Sequence, residues 1–233
     1  LNSLMCSKKL FMNKKLIIIG TGETGLLAYE YFTKDSEFEV TAFSVHSNFK
    51  KSEDLLGLPI IELENLEDQF PPDRYTLFVA LSSTHLNRDR ADLFLDLKKK
   101  GYSFASYVSS KAFVWDNVKI GENCFILENN VLQPFTKVGD NVTLWSGNHI
   151  GHRTKISNHV FITSHCVVSG FCKIGEFSFL GVNCTLSDEV HIAADNFISM
   201  GAVVSKSTEE DGLYKGNPAE KHKLSAKRLC KVR

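Results

Sequence analysis

An aliphatic residue recurs at every sixth position through the second half of the chain, and this period limits the fold more than any other feature of the sequence. Seventeen consecutive positions follow the rule without a gap. The leading residues of these hexads are Val108, Val114, Ile120, Ile126, Leu132, Val138, Leu144, Ile150, Ile156, Ile162, Val168, Ile174, Leu180, Leu186, Ile192, Ile198 and Val204. A short fixed period predicts a solenoid, in which each repeat packs mainly on its neighbours.

We predict that each hexad forms one flat face of a triangular prism. Three hexads then make one coil, so that stacked positions recur every eighteen residues. We expect the leader and the small or β-branched fifth residue to point inward, and the second, third and sixth residues to point outward. Glycines that follow a leader, such as Gly121, Gly139 and Gly151, are interpreted as serving tight turns at the corners. Four of the six cysteines occupy fifth places, where packing explains them better than thiol chemistry does: Cys124, Cys166, Cys172 and Cys184.

The charge balance and the opening residues limit the possible partners. The 27 basic residues are matched by 27 acidic residues, which argues against nucleic-acid binding by bulk electrostatics. The apolar run near the start is too short to span a bilayer, and the opening residues lack the apolar core and cleavage site of a signal peptide. We therefore expect a cytoplasmic protein with free thiols and no membrane insertion. We also expect a natural start at Met5 or Met12.

The first half of the chain alternates between strand-like and helix-like stretches. The isoleucine-rich KKLIIIG has the pattern of a buried strand, and LLAYEYFTK after it has that of a helix. Apolar residues at helical spacing predict a second helix over 83–101, with Thr84 as its N-cap and Gly101 as its stop. Further strands are predicted at 38–45, 58–61, 75–81 and 103–108. This alternation is typical of a small parallel sheet with covering helices.

The sequence GTGETG fits the pattern G-x-G-x-x-G between a predicted strand and a predicted helix. Gly20, Gly22 and Gly25 would let backbone N–H groups approach a phosphate at the helix N-terminus. The alternative is that glycine only eases the turn after the first strand. The second predicted strand ends without the acid that holds the ribose of NAD. We therefore expect another nucleotide or a degenerate site, with Ser44 or His46 near the base or ribose or in a solvated loop.

Two histidines stand in outward places in the middle of the hexads. His149 occupies a sixth place and His152 a third place. A histidine can take the proton of an attacking amine or hydroxyl, and the backbone N–H of Gly170, one coil further, can hold the oxygen of a tetrahedral intermediate. No Cys–His pair has zinc-finger spacing. We therefore predict no metal, with a metal-dependent hydratase as the alternative.

The hexads resemble the left-handed parallel β-helix of hexapeptide-repeat acyltransferases. The chain over about 13–220 is similar to one branch of these bacterial enzymes, the nucleotide-linked amino-sugar N-acetyltransferases and the sialic-acid O-acetyltransferase-like proteins. The resemblance implies a Rossmann-like α/β domain over 13–107 that binds a nucleotide sugar, an all-β left-handed β-helix over 108–219, and a C-terminal tail or short helix over 220–233. It also implies a homotrimer with active sites in the grooves between prisms.

The resemblance assigns roles to individual residues. His152, in the family's I-x-H step, is implied to be the general base. Gly170 is implied to give its amide to the acetyl carbonyl. The implied substrate contacts are Gly20, Gly22, Gly25, Ser82, Asn148 and His149, and the implied coenzyme A contacts are Gly170, Asn183, Gly216, Pro218 and Lys221.

Two positions depart from the family pattern. Arg153 follows His152, where the family often has an orienting carboxylate, so we expect Asn148 or a residue of the next subunit to orient the base. Val45 and His46 replace the acidic pair that often meets the nucleotide's base.

The function implied by the resemblance is an acetyl-CoA-dependent N-acetyltransferase. Its acceptor would be the amino group of a UDP- or dTDP-linked deoxysugar used in surface glycan or O-antigen synthesis. Transfer to a hydroxyl group, or transfer of a longer acyl chain, needs the same base and thioester groove and stays open. A non-catalytic β-helix that only binds a partner is the alternative from another class.

Overall fold

The computed structural model describes residues 14–232. The expected starts at Met5 or Met12, residue 13 at the beginning of the predicted first domain, and Arg233 at the end of the predicted tail lie outside these residues. No helix within 14–232 is long and apolar enough to cross a membrane.

The N-terminal domain is an α/β unit around a six-stranded sheet in the order β3-β4-β2-β1-β5-β6. Every pair is parallel except β3 with β4. The strands are β1 (Lys14–Ile19), β2 (Phe38–Val45), β3 (Asp54–Leu55), β4 (Leu58–Glu62), β5 (Thr76–Val79) and β6 (Ser103–Phe104). The α-helices are α1 (Glu23–Lys34), α2 (Leu66–Gln69) and α3 (Thr84–Lys99), and short 3₁₀ turns cover Ser47–Phe49 and Leu63–Asn65.

The second domain is a left-handed parallel β-helix whose three faces are stacks of two-residue strands. Every leader is the second residue of such a strand, and strands pair at a separation of eighteen residues, as Phe125 does with Thr143. Face 1 holds Tyr107–Val108, Phe125–Ile126, Thr143–Leu144, Phe161–Ile162, Phe179–Leu180 and Phe197–Ile198, and is extended by Leu213–Lys215 and Glu220–Lys221. Face 2 holds Phe113–Val114, Val131–Leu132, His149–Ile150, Val167–Val168, Thr185–Leu186 and Val203–Val204. Face 3 holds Lys119–Ile120, Lys137–Val138, Lys155–Ile156, Lys173–Ile174 and His191–Ile192, and the last helix is Ala226–Leu229.

The corners of the prism are turned by the fourth residue of each hexad. Twelve non-glycine residues in this place have φ between 54° and 66°: Asn123, Asn129, Phe135, Asn141, Arg153, His159, His165, Phe171, Phe177, Asn183, Glu189 and Asp195. The interpretation of glycines after a leader as turn residues is therefore wrong. A Cβ on Gly151 would lie 2.5 Å from the carbonyl carbon of Ser169 and 2.6 Å from the amide nitrogen of Gly170. Glycine at this place lets the next coil approach closely.

The predicted last strand over 103–108 divides between the two domains. Ser103–Phe104 closes the N-terminal sheet beside β5, whereas Tyr107–Val108 begins face 1. The division lets one apolar cluster continue across the junction, because Phe32 of α1 packs against Tyr107 of the prism, and Phe78 of β5 packs against Phe125. The two domains thus share a core.

The third corner of the prism, where face 3 turns to face 1, lies beneath α3. Its fourth-place residues form a column in which the Asn123 amide donates to Asn141 Oδ1 at 2.7 Å, and the Asn141 amide contacts His159 Nδ1 at 3.0 Å. Asn87 donates to the backbone oxygens of Asn141 and His159. The start of α3 differs from the prediction here, because Ser83 takes the N-cap place and Asn87 has a φ of 65°.

His159 makes the fold sensitive to acid. Burial, with the nearby charges of Arg90 and Arg88, lowers the pKa of His159 to about 4, whereas the unfolded chain has an ordinary histidine pKa of about 6.5. The unfolded chain binds a proton between these values that the folded chain does not. The stability contributed by neutral His159 is therefore present above pH 6.5 and lost as pH falls to 4, by an amount of about 3 kcal/mol.

A His159→Asn variant removes this titration. Its unfolding free energy, measured in urea at pH 7, 5.5 and 4, should fall less with acid than that of the unmodified chain. His191→Asn, at an exposed histidine of face 3, is the control and should keep the original decline. Equal declines for H159N and the unmodified chain would contradict the assignment.

Candidate functional site

A cleft of about 710 Å³ lies at the carboxyl edge of the N-terminal sheet. Gly20 follows β1, Ser44 is the last residue but one of β2, Ser82 lies in the loop after β5, and all three line the cleft. Ligands of open parallel sheets bind at this edge, where the order of the strands reverses. The Ser44 hydroxyl is fully buried, lines the cleft and has no hydrogen-bond partner within residues 14–232. It is therefore a polar group available to a ligand.

The predicted glycine loop divides into two roles. Gly20 has a φ of 119°, and Gly22 is the N-cap of α1 with open space around a would-be Cβ, so both fit a loop that receives an anion. Gly25 is different. It is buried in the first turn of α1, where a Cβ would lie 3.0 Å from the Gly20 carbonyl carbon, and it does not line the cleft. Its prediction as a substrate contact is corrected to one of close packing between helix and loop.

His46 lines the cleft and is paired with a carboxylate. Its Nδ1 lies 2.9 Å from Glu64 Oε1, and the Ser47 N–H donates to the other oxygen at 3.1 Å. The hydrogen bond from His46 lowers the pKa of Glu64. No acid directly follows the second strand in the sequence, because Glu64 follows β4, which is the neighbour of β2 in the sheet.

The opposite wall of the cleft is acidic. Asp89, Asp92 and Asp96 of α3 line it, and Asp89 is paired with His85 at 2.8 Å. Carboxylates disfavour an anion, so the glycine loop is the side of the cleft that is compatible with one.

The second set of predicted residues lies at the second corner of the prism, where face 2 turns to face 3. His152 is exposed there, directly below Gly170, as the eighteen-residue coil predicts. A Cβ on Gly170 would lie 2.6 Å from Cε1 and 3.0 Å from Nε2 of His152. The edge of the ring meets Phe171, with the ring centroids 4.9 Å apart.

Gln133, which the sequence analysis did not single out, is the group that contacts His152. Its Oε1 accepts the His152 backbone N–H at 2.9 Å and lies 3.4 Å from the ring Nδ1. Gln133 follows a leader one coil earlier, so the register of eighteen could have brought it to attention.

The backbone N–H of Gly170 has a partner in this structure. It donates to Asp188 Oδ1 at 2.8 Å. Asp188 is another third-place residue, eighteen positions after Gly170. An oxygen that is to be held by the Gly170 amide must therefore displace the Asp188 carboxylate.

Asn148 is not available as a surface contact. It is 1% exposed, its amide nitrogen donates to the Trp145 carbonyl, and its oxygen accepts the Cys166 N–H at 2.8 Å. Its predicted roles in binding substrate and in orienting His152 are wrong, because a fifth-place side chain points into the prism. His149 is half-buried on face 2 between Val131 and Val167, facing outward as expected.

The predicted coenzyme A contacts lie in different parts of the prism. Asn183 lies at the first corner, where face 1 turns to face 2, in the column of Gly147 and His165. Gly216 and Ala219 bond to Val203 at the end of face 2, which brings the turn containing Pro218 there. Lys221 is paired with Glu209. In one chain, only Gly170 of this set is beside His152.

Among residues 14–232, no side chain lines both the cleft and the surroundings of His152. The cleft borders α3, which covers the third corner, whereas His152 is at the second corner. Within residues 14–232, no group of three or more histidine, cysteine, aspartate or glutamate side chains is arranged to hold a metal ion.

Residues 117–152 match the family model for bacterial transferase hexapeptide (six repeats). No curated protein matches the chain. The predicted hexapeptide repeat is confirmed by this match.

Several solved structures share the architecture. The acetyltransferase domain of PglB from Neisseria gonorrhoeae has a TM-score of 0.80 at 21% identity, covering 90% of this chain and 100% of that one. PerB from Caulobacter crescentus, in complex with CoA and GDP-perosamine, has a TM-score of 0.79 at 23% identity, covering 89% and 97%. WeeI from Acinetobacter baumannii has a TM-score of 0.56 at 19% identity, covering 89% and 99%. These likenesses confirm the predicted fold of a small α/β domain followed by a left-handed β-helix.

Proposed function

We propose that this chain is an acetyl-CoA-dependent N-acetyltransferase that acts on the amino group of a nucleotide-linked amino sugar. The observation that carries the proposal is the exposed His152 ring directly beneath Gly170, on a chain that also has a glycine-lined cleft at its sheet edge. Two similar structures support both ligands, since the PglB domain is described in complex with acetyl coenzyme A, and PerB with CoA and GDP-perosamine.

The proposed reaction follows from the chemistry of the corner. The neutral sugar amine attacks the thioester carbonyl, and His152 Nε2 takes a proton from the nitrogen as the C–N bond forms. The oxygen of the tetrahedral intermediate takes the Gly170 N–H from Asp188. The intermediate then collapses, the C–S bond breaks, and the coenzyme A thiolate leaves with the proton from His152.

A homotrimer is part of the proposal. The cleft and His152 lie at different corners of one chain, so the cleft of one protomer must serve the base of another if both bind the same substrate. Face 2 beside His149 carries the exposed side chains Phe113, Trp115 and Val167, which a second prism would cover. A role in surface glycan or O-antigen synthesis follows from the proposed substrate class.

The substrate is tested by incubating the protein with UDP-, dTDP- and GDP-linked amino sugars and several acyl-CoAs, and weighing the products. An added acetyl group on the amine supports the proposal. An acetyl group that mild base removes would be an ester and would favour O-acetylation, because an amide resists mild base. A larger increase in mass would show a longer acyl chain. Failure of every acyl-CoA and sugar nucleotide to raise the Tm would favour a non-catalytic binding protein.

A His152→Ala variant should lose turnover and keep its ligands. The kcat should fall by roughly 10²–10⁴-fold, the usual contribution of a general base. Acetyl-CoA binding, measured by calorimetry, should be retained because the imidazole acts on the attacking amine. His191→Ala, on face 3, is the control. A kcat near normal in H152A would remove His152 from the mechanism.

A Gly22→Asp variant should weaken binding of the nucleotide sugar without affecting acetyl-CoA. Aspartate is a favourable N-cap and has room at this position, so α1 should form normally. Its charge should repel a diphosphate, weakening nucleotide-sugar binding by roughly tenfold or more while the KM for acetyl-CoA is unchanged. Gly22→Asn, of the same shape without the charge, should weaken binding much less. Equal affinities for G22D and the unmodified chain would place the phosphates elsewhere.

An Asp188→Ala variant should free the Gly170 amide. Because a hydrogen bond to a charged group is worth about 1.5–3 kcal/mol and about 1.4 kcal/mol corresponds to tenfold, kcat/KM for acetyl-CoA should rise roughly tenfold or more. Glu189→Ala is the control, since that neighbouring carboxylate does not accept the Gly170 N–H within the described part of the chain. A fall in kcat/KM for D188A would contradict the competition between the Asp188 carboxylate and the oxyanion for the Gly170 amide.

A further inference from the structure

We propose that Gln133 is the positioning residue of the base, and that it fixes His152 with the proton on Nδ1 and the lone pair on Nε2. The proposal deepens the proposed function and rests on it for the catalytic role of the ring. The tautomer and the contact with Gln133 can be tested without any substrate.

The backbone contact identifies the carboxamide atom. A peptide N–H can only donate a hydrogen bond, so the Gln133 atom 2.9 Å from the His152 nitrogen must be its oxygen. The same oxygen lies 3.4 Å from the ring Nδ1. An oxygen of this kind has no proton to give, so Nδ1 must carry the proton for the contact to be favourable. The neutral ring then has its lone pair on Nε2, where a general base needs it.

The ring is held on its other sides by groups that carry no charge. Gly170 lies across its face, since a Cβ there would approach Cε1, Nδ1 and Nε2 within 3.0 Å, and Phe171 meets it in an edge-to-face contact. Gln133 thus supplies the polar contact that selects a tautomer, while Gly170 and Phe171 limit rotation of the ring.

The charged and titratable groups nearby have other partners or positions. Arg153, the next residue, has its guanidinium over the rings of Phe135 and Phe171, at 4.5 Å and 6.0 Å from their centroids. Asp188 is bonded to the Gly170 amide above the ring. His149 lies on the strand before the corner and Glu189 on the coil above. None of these four is hydrogen-bonded to the His152 ring in the part of the chain that the structure describes.

A neutral partner has a consequence for the pH dependence of the reaction. A carboxylate at position 133 would stabilise the protonated imidazolium and keep the base occupied by a proton to higher pH. The carboxamide orients the ring without that charge. Replacing the carboxamide with a carboxylate therefore tests the effect of charge separately from that of orientation.

Two variants separate charge from orientation. Gln133→Glu keeps the oxygen that accepts both N–H groups and adds one negative charge. Its kcat plateau should stay within about threefold of the original, while the acid limb of its kcat/KM profile moves up by about one pH unit. Gln133→Leu removes the acceptor, and its kcat should fall roughly tenfold or more, because about 1.4 kcal/mol of positioning corresponds to tenfold, with the KM values for both substrates unchanged. Gln69→Leu, an exposed glutamine at the end of α2, is the control.

Nitrogen NMR of the His152 ring provides the second readout. The unmodified protein should show Nδ1–H and a bare Nε2 at neutral pH, Q133L a mixture of tautomers, and Q133E the Nδ1–H form with a titration shifted upward. A ring with Nε2–H in the unmodified protein, an unchanged kcat in Q133L, or an unshifted acid limb in Q133E would overturn the proposal. A fully active H152A would defeat the proposed catalytic role alone, since the NMR result would still decide whether Gln133 holds the ring.

Discussion

A guanidinium with almost no exposed surface joins the two halves of this molecule. Arg90 of α3 donates to the backbone oxygens of Val79, Asn123 and Asn141 and to the Thr143 hydroxyl, over distances of 2.7–3.0 Å. Burial lowers the pKa of Arg90 to about 10, so the group stays charged at neutral pH. A buried charge is tolerated only where polar atoms replace the lost water. Here they come from the end of β5 and from two coils of the prism, so the charge is satisfied only when the domains are docked.

The position of the cleft follows from this contact. Val79 ends the strand that precedes the cleft residue Ser82, and the Asn123 side chain accepts the Val79 N–H at 2.8 Å. The edge of the sheet is therefore held in a fixed position relative to particular coils of the prism. Fourth-place residues at the third corner serve the docking of α3, whereas the equivalent residues at the second corner, such as Arg153, stay exposed beside His152. The fourth position of the hexad therefore either docks α3 or stays exposed, depending on what covers the corner.

The sequence predicts where the residues of the site lie on the backbone better than it predicts their side-chain contacts. The spacing of eighteen places His152 beneath Gly170, and β2 has both bounds of the strand predicted at 38–45. The inward place of Asn148 was also implicit in the hexad, because the fifth residue of every repeat faces the core. The Gln133 and Asp188 contacts could not be derived in the same way. Each depends on the rotamer of a long or polar side chain between coils, which a periodic pattern does not specify.

The contact of Glu64 with His46 could not be predicted from the sequence for a different reason. Eighteen residues separate the two, and only the order of strands in the sheet brings the ends of β2 and β4 together. The split of the predicted strand over 103–108 has a similar origin, since local propensity identifies extended backbone without identifying the sheet that receives it. Sequence periodicity therefore predicts a repeat well, and predicts poorly what happens where the repeat meets a different fold.

The exposed position of His152 connects assembly to chemistry. In a single prism the His152 ring is exposed and the Gly170 amide is bonded to the exposed Asp188 carboxylate. This close to water, a hydrogen bond to a developing oxyanion gains little over hydration. A second prism placed over face 2 would cover Trp115 and Val167 and exclude water from the adjoining corner. The same amide would then act in a less polar environment, where a fixed dipole stabilises charge more strongly. Under the proposed function, burial of the apolar face and activation of the corner are consequences of one contact, so selection for a stable assembly would also maintain the environment of the reaction.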